Sequence, residues 1–138
     1  MVLEGNNASI LKEVLQTLES RLPAGWSVAT RASSGDSDAR IDFVAPDGRK
    51  GVFFVEVKAL PEPRDVVITS LTERWFQCKG RPPRAMLFAA RYLSPATSEA
   101  LIEHGFCFVD LTGNVRLVLS EPGLFIQTTG ATVNPERE

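Results

Sequence analysis

Asp42, Glu56 and Lys58 are two carboxylates and an ammonium close together in this 138-residue chain. Alternating apolar runs flank Pro46-Asp47-Gly48, where proline fixes φ and glycine supplies a positive φ, so residues 39 to 59 read as a β-hairpin. Ile41, Phe43 and Ala45 take one face of its first strand, and Phe53, Val55 and Val57 one face of its second. Asp42, Glu56 and Lys58 then fall on the opposite faces, with Arg40, Val44 and Phe54. Carboxylates are hard oxygen ligands suited to Mg2+ or Mn2+, with water filling most other positions. A bound divalent ion acidifies water and polarises a phosphoryl oxygen, and an adjacent ammonium offers a preorganised positive charge. Phosphodiester hydrolysis is the chemistry such a set could perform. The plainer reading is a solvated hairpin face with a cross-strand ion pair, worth ~0.2–1 kcal/mol.

The elements that must position these groups can be read outward from the hairpin. Before it, Ile10, Leu11, Val14, Leu15, Leu18 and Leu22 recur at helical spacing, with Asn7 or Ser9 as candidate N-cap and Pro23 and Gly25 as the stop. Residues 1 to 7 read as a lead-in, Trp26 to Thr30 as a short strand and residues 32 to 38 as a polar loop. After the hairpin, Pro61 and Pro63 break the chain. Residues 65 to 79 read as a second helix with Val67, Leu71, Trp75 and Cys78 on one stripe, and Trp75 and Phe76 are expected in the core. Residues 85 to 90 are an apolar run suited to a strand buried on both faces. Ser94 and Pro95 open a third helix that Gly105 closes. Residues 106 to 110 and 115 to 119 read as strands around Thr112-Gly113-Asn114, with Asp110 and Asn114 shaping the turn; Gly123 to Thr128 is a further candidate strand. This order predicts one three-layer α/β domain over residues 1–128, with a mixed central sheet and a C-terminal β-hairpin extension. The third and fourth strands should be parallel. Residues 129–138 have tail or linker composition.

An αβββαβ core with Asp on its second strand and Glu-x-Lys on its third resembles the PD-(D/E)XK nuclease superfamily, the restriction-endonuclease-like fold. Here the motif stands as Asp42, 13 intervening residues, then Glu56-Val57-Lys58, and the resemblance spans residues 8 to 119. Ile41 precedes Asp42 where the motif has proline. The resemblance implies a metal-dependent nuclease in which Asp42, Glu56 and the Val57 backbone carbonyl hold Mg2+ or Mn2+ and Lys58 assists the attacking water. It further implies auxiliary groups from the helices, for which Glu13 and Gln77 are the candidates. The implied partner is nucleic acid, DNA before RNA, with a second copy of the chain as an option. Tyr92-Leu-Ser-Pro-Ala-Thr and the stretch from Gly105 to Arg116 also resemble nuclease-like N-terminal modules of bacterial winged-helix regulators and antitoxins. That similarity implies the alternative of a catalytically silent module that binds nucleic acid or a protein partner.

Fifteen basic and 17 acidic residues give a net charge of −2, without the basic excess common in duplex binders. Charge is nevertheless uneven: residues 74 to 91 contain Arg74, Lys79, Arg81, Arg84 and Arg91 and no acidic residue. Lys79, Arg81, Arg84 and Arg91 are therefore candidates for a phosphate-facing rim, or equally for a solvated helix end and loop. No run of 18 apolar residues occurs, so no membrane span is expected, and the N-terminus lacks a signal-peptide pattern. Cys78 and Cys107 are too few for a disulfide framework, which suits a reduced, cytoplasmic protein. His104 is the only histidine, placed at a helix C-terminus, so a histidine-based metal site is excluded. GxSxG and P-loop motifs are absent, as is a GxGxxG following a strand.

Overall fold

Ile10, Val14 and Leu18 repeat every fourth residue, and this stripe folds as α1 (Gly5–Arg21) with all three side chains buried. The computed structural model describes residues 5–31, 38–121 and 123–136. The parts of the expected lead-in, polar loop and tail on residues 1–4, 32–37, 137 and 138 lie outside the described residues. Seven strands follow one another across a single sheet in chain order: β1 (Ser27–Arg31), β2 (Ala39–Val44), β3 (Lys50–Lys58), β4 (Met86–Ala90), β5 (Cys107–Asp110), β6 (Val115–Leu119) and β7 (Leu124–Thr128). The β3–β4 and β4–β5 pairs are parallel and the others antiparallel. Helices α2 (Pro63–Cys78) and α3 (Pro95–Glu103) make the two crossovers that parallel pairing requires. The expected αβββαβ order, mixed sheet and three layers are all present.

Alternation along the strands divides the core in two. Ile41, Phe43, Phe53, Val55, Leu87, Val109 and Leu117 turn toward α1 and pack on Ile10, Val14 and Leu18. Met86, Phe88, Ala90 and Phe108 turn the other way, onto Val66 of α2 and Leu101 of α3. β4 feeds both clusters, as its unbroken apolar run predicts. Each large side chain fully buried this way contributes about 1.5–3 kcal/mol.

Three expectations about the helices need correction. α1 already runs from Gly5, so residues 5 to 7 are helix rather than lead-in, and Asn7 and Ser9 lie inside the helix rather than at its N-cap. Pro63, read as a breaker, is the first residue of α2: proline lacks only an N–H that the first turn would leave unpaired. Asp65 Oδ2 accepts the Glu62 N–H at 2.8 Å and closes a capping box. The stripe of α2 also points outward. Its buried residues are Val66 and Glu73, whereas Val67, Leu71, Trp75 and Cys78 are exposed. Trp75 is thus not core, and Phe76 is only half-buried. The sheet surface beneath this end of the helix is already covered, because the Arg84 guanidinium lies 4.6 Å from the centre of the Phe54 ring.

The β5–β6 turn is held by Asp110, which is fully buried. Oδ1 accepts from Thr112 N, Thr112 Oγ1 and Asn114 N, and Oδ2 accepts from Leu93 N and Asn114 Nδ2. The segment expected to be a tail continues onto this turn. Gly130 N donates to Asn114 Oδ1 at 2.7 Å and Ala131 N to Thr112 Oγ1 at 3.0 Å. A Cβ on Gly130 would come within 2.3 Å of the Thr112 carbonyl oxygen, so only glycine allows this approach.

Candidate active site

The hairpin register decides which carboxylates meet. Ala45 N donates to Arg49 O across the turn, Ala39 pairs with Val55, and Asp42 pairs with Val52. Asp42 therefore lies four residues from the position of Glu56, about 13 Å along the strand at 3.3 Å per residue. The structure does not bring the two together. Asp42 is 3% exposed and bound to arginines. Arg40 Nε donates to its Oδ1 at 3.0 Å, and Arg31 Nε on β1 makes an ion contact with Oδ2 at 2.5 Å. Asp42 is taken up in ion pairs, as the plainer reading of the hairpin has it, but it is buried rather than on a solvated face.

The same register, carried one residue past Ala39, sets Asp38 opposite Glu56. Side chains so placed have Cβ atoms about 4.5–5.5 Å apart. Asp38 N donates to Val55 O at 3.0 Å, and Asp38 Oδ2 accepts from Val57 N at 2.8 Å, so a side chain takes over the ladder where β2 begins. A strand residue's N–H and C=O point to the same side. The Val57 carbonyl therefore faces the side where β2 has run out, with Asn7 Nδ2 of α1 at 3.5 Å. Glu56 is half-buried and Lys58 exposed on the α2 face of β3. Lys58 Nζ lies 3.8 Å from Asp65 Oδ1, so the capped first turn of α2 orients the ammonium.

The other candidates divide by which end of the sheet they occupy. Arg91 is at the site's end: its N–H donates to Ala59 O, Nη2 donates to Asn6 Oδ1 at 2.8 Å, and Nη1 bonds Glu136 Oε1 at 3.3 Å. Arg81 and Arg84 instead embrace Glu73, which is 7% exposed. Arg81 Nη2 bonds Oε2 at 2.6 Å, while Arg84 Nε and Nη2 bond Oε1 and Oε2 at 3.0 Å. Their guanidiniums stack on Phe76 and Phe54, a structural use of charge rather than an open rim. Lys79 sits over Trp75, with Nζ 5.4 Å from the ring centroid. Glu13 is exposed on α1, about 9 Å along the helix from Asn7. Gln77 is about 18 Å along α2 from Asp65. Neither auxiliary group reaches the Glu56–Lys58 end, where Asn7 and Asp65 stand instead.

In the sequence Asp38 reads as the end of the polar loop, because Ser-Asp at a strand entrance has loop composition. Counting outward by equal steps from the Ala45–Arg49 pair would have found it. Among the described residues, no three His, Cys, Asp or Glu side chains cluster closely enough to hold a metal by themselves. The donors at this edge are two carboxylates and one backbone carbonyl.

No protein-family model matches the sequence, and no curated protein matches it. Among solved structures the chain is similar to one described as "Structure of EndoMS in apo form", with TM-score 0.47 and 15% identity, covering 80% of this chain and 48% of that one. The chain thus spans about half the length of that protein. Among the described residues, no helix is long and apolar enough to cross a membrane.

Proposed function

We propose that this chain hydrolyses phosphodiester bonds of nucleic acid with the help of Mg2+ or Mn2+. Asp38, Glu56 and the Val57 carbonyl are the ligand set, and Lys58 is the cation at the attacking water. The observation carrying this reading is the register that sets Asp38 opposite Glu56 with the Val57 carbonyl at an open strand end. This donor set fits, because Mg2+ is bound through one or two carboxylates and keeps several waters. When bound, the ion lowers the pKa of its water and offsets charge on the scissile phosphate.

The protein's own residues do the positioning. The Val57 N–H fixes Asp38 Oδ2 and leaves Oδ1 for a ligand. Asp65 holds the Lys58 ammonium near the hairpin face, where it stabilises charge developing at the phosphate. Arg91 presents its guanidinium at the same end of the sheet, for a neighbouring backbone phosphate.

The test is a Mn2+-dependent cleavage assay on supercoiled, linear, branched and single-stranded DNA and on RNA. Asp38→Asn and Glu56→Gln should remove cleavage, and Asp42→Asn should keep it. Cleavage that survives Asp38→Asn but is lost in a folded Asp42→Asn protein would overturn the assignment. Salt-dependent binding with no cleavage of any substrate would favour the catalytically silent module.

A further inference from the structure

Two guanidiniums stand beside the candidate active site, on the face of the sheet that carries Asp38 and Glu56. Register sets Arg31 of β1 directly opposite Arg40 of β2, and Arg40 opposite Phe54 of β3, so all three leave the sheet on one side. Arg40 follows Asp38 by two residues, which keeps it on the same face about 7 Å along the strand. The cluster that joins α2 and α3 to the sheet draws on Phe54, β4 and β5. Among the described residues it takes nothing from β1 or β2.

Like charges directly opposite on neighbouring strands repel, so two arginines so placed need a counter-charge. Asp42 supplies it from below. Its Oδ1 accepts from Arg40 Nε at 3.0 Å and its Oδ2 lies 2.5 Å from Arg31 Nε. The carboxylate is buried, whereas the Arg31 and Arg40 side chains are 57% and 39% exposed. One carboxylate neutralises one of the two cations, and the surplus positive charge lies on the solvent side. Both arginines are held through Nε, and among the described residues their Nη groups have no other hydrogen-bond partner. Two planar forks tethered in this way fit the two unbridged oxygens of a phosphodiester.

We infer that Arg31 and Arg40 clamp one backbone phosphate of a nucleic-acid strand, a near neighbour of the phosphate at Asp38, Glu56 and Lys58. The clamp rests on the proposed hydrolysis for that neighbouring phosphate, but its own contact needs no turnover. Asp42 takes no direct part; it is the buried counter-charge that lets the two guanidiniums stand side by side. The competing occupant is a carboxylate-rich protein segment. It would match the charge but not the position, two residues along the face from a pair of carboxylates suited to a divalent ion, so the placement favours nucleic acid.

Fluorescence anisotropy of a labelled single-stranded DNA oligonucleotide across a salt series tests this. The full chain carries Glu56→Gln, so that binding is read without turnover. Adding Arg31→Ala should reduce the slope of log affinity against log salt by about 0.7–0.9, one phosphate contact, because Asp42 then neutralises the remaining Arg40. R31Q/R40Q/D42N leaves no buried charge unpaired and should reduce the slope by the same amount. Arg49→Ala, on the turn at the far end of the hairpin, should leave it unchanged. Far-ultraviolet circular dichroism checks that each variant is folded. An unchanged slope in both clamp variants would overturn the clamp, and cleavage by the wild type would leave the hydrolase reading standing. A parent protein that binds without salt dependence, or not at all, would also overturn the clamp, and the wild-type cleavage assay decides the hydrolase reading separately. A loss twice as large in R31Q/R40Q/D42N as in Arg31→Ala would mean two separate phosphates and refute the shared contact. Polyglutamate that displaces the labelled strand as well as unlabelled oligonucleotide does would assign the pair to an acidic protein segment instead.

Discussion

Asp38 and Asp42 belong to one hairpin and experience different surroundings. Asp42 is buried against Arg31 and Arg40, both of which reach solvent. Asp42→Asn should therefore destabilise the fold by about 1–3 kcal/mol, the cost of weakening charge-assisted bonds to a buried group, without removing cleavage. Urea denaturation and the cleavage assay together check this. Asp110 accepts five hydrogen bonds and is fully buried, so Asp110→Ala should cost at least about 3 kcal/mol by the same measurement. Burial raises the Cys107 thiol above its usual pKa, whereas Cys78 is exposed. Iodoacetamide near neutral pH should label Cys78 rapidly and Cys107 only after denaturation.

Among the elements, the β2–β3 hairpin was legible because period-two alternation and a Pro-Asp-Gly turn agree on it. The β3–α2–β4 and β4–α3–β5 crossovers followed from element order alone. The outer face of α2 was not legible: helical spacing announces a stripe but not which side of the helix faces the sheet. The face that packs inward carries Val66 and Glu73, a polar residue whose burial is offset by the bonds from Arg81 and Arg84. Glu73→Ala should accordingly destabilise the domain by about 3–5 kcal/mol, as buried pairs do when one partner is lost. Arg84→Ala should likewise lower the unfolding midpoint, so weakened nucleic-acid binding in that variant reports on stability first. The site was half legible for a related reason. Glu56 and Lys58 carry their own motif, but the carboxylate opposite Glu56 is set by register, which composition does not reveal.

For the whole molecule, a net charge of −2 means that the proposed nucleic-acid binding would rest on local groups at the site's end of the sheet. Arg91→Ala should reduce the slope of log affinity against log salt by about 0.7–0.9, one phosphate contact. On the proposed reading, a metal held by Asp38 and Glu56 would stabilise only the folded chain. Mn2+ should therefore raise the melting temperature of the wild type and not of Asp38→Asn, a readout that needs no substrate.

The sheet runs from β1 to β7 without a single interruption of chain order. Every pair of neighbouring strands is therefore also successive along the polypeptide. The entropy of closing a loop grows only with the logarithm of its length, and refolding slows as the mean sequence separation of contacts rises. A sheet assembled by nearest neighbours should grow outward from the β2–β3 hairpin, each new strand finding its template already in place. As the chain leaves the ribosome, α1 and the first three strands can pack together before α2 has been made.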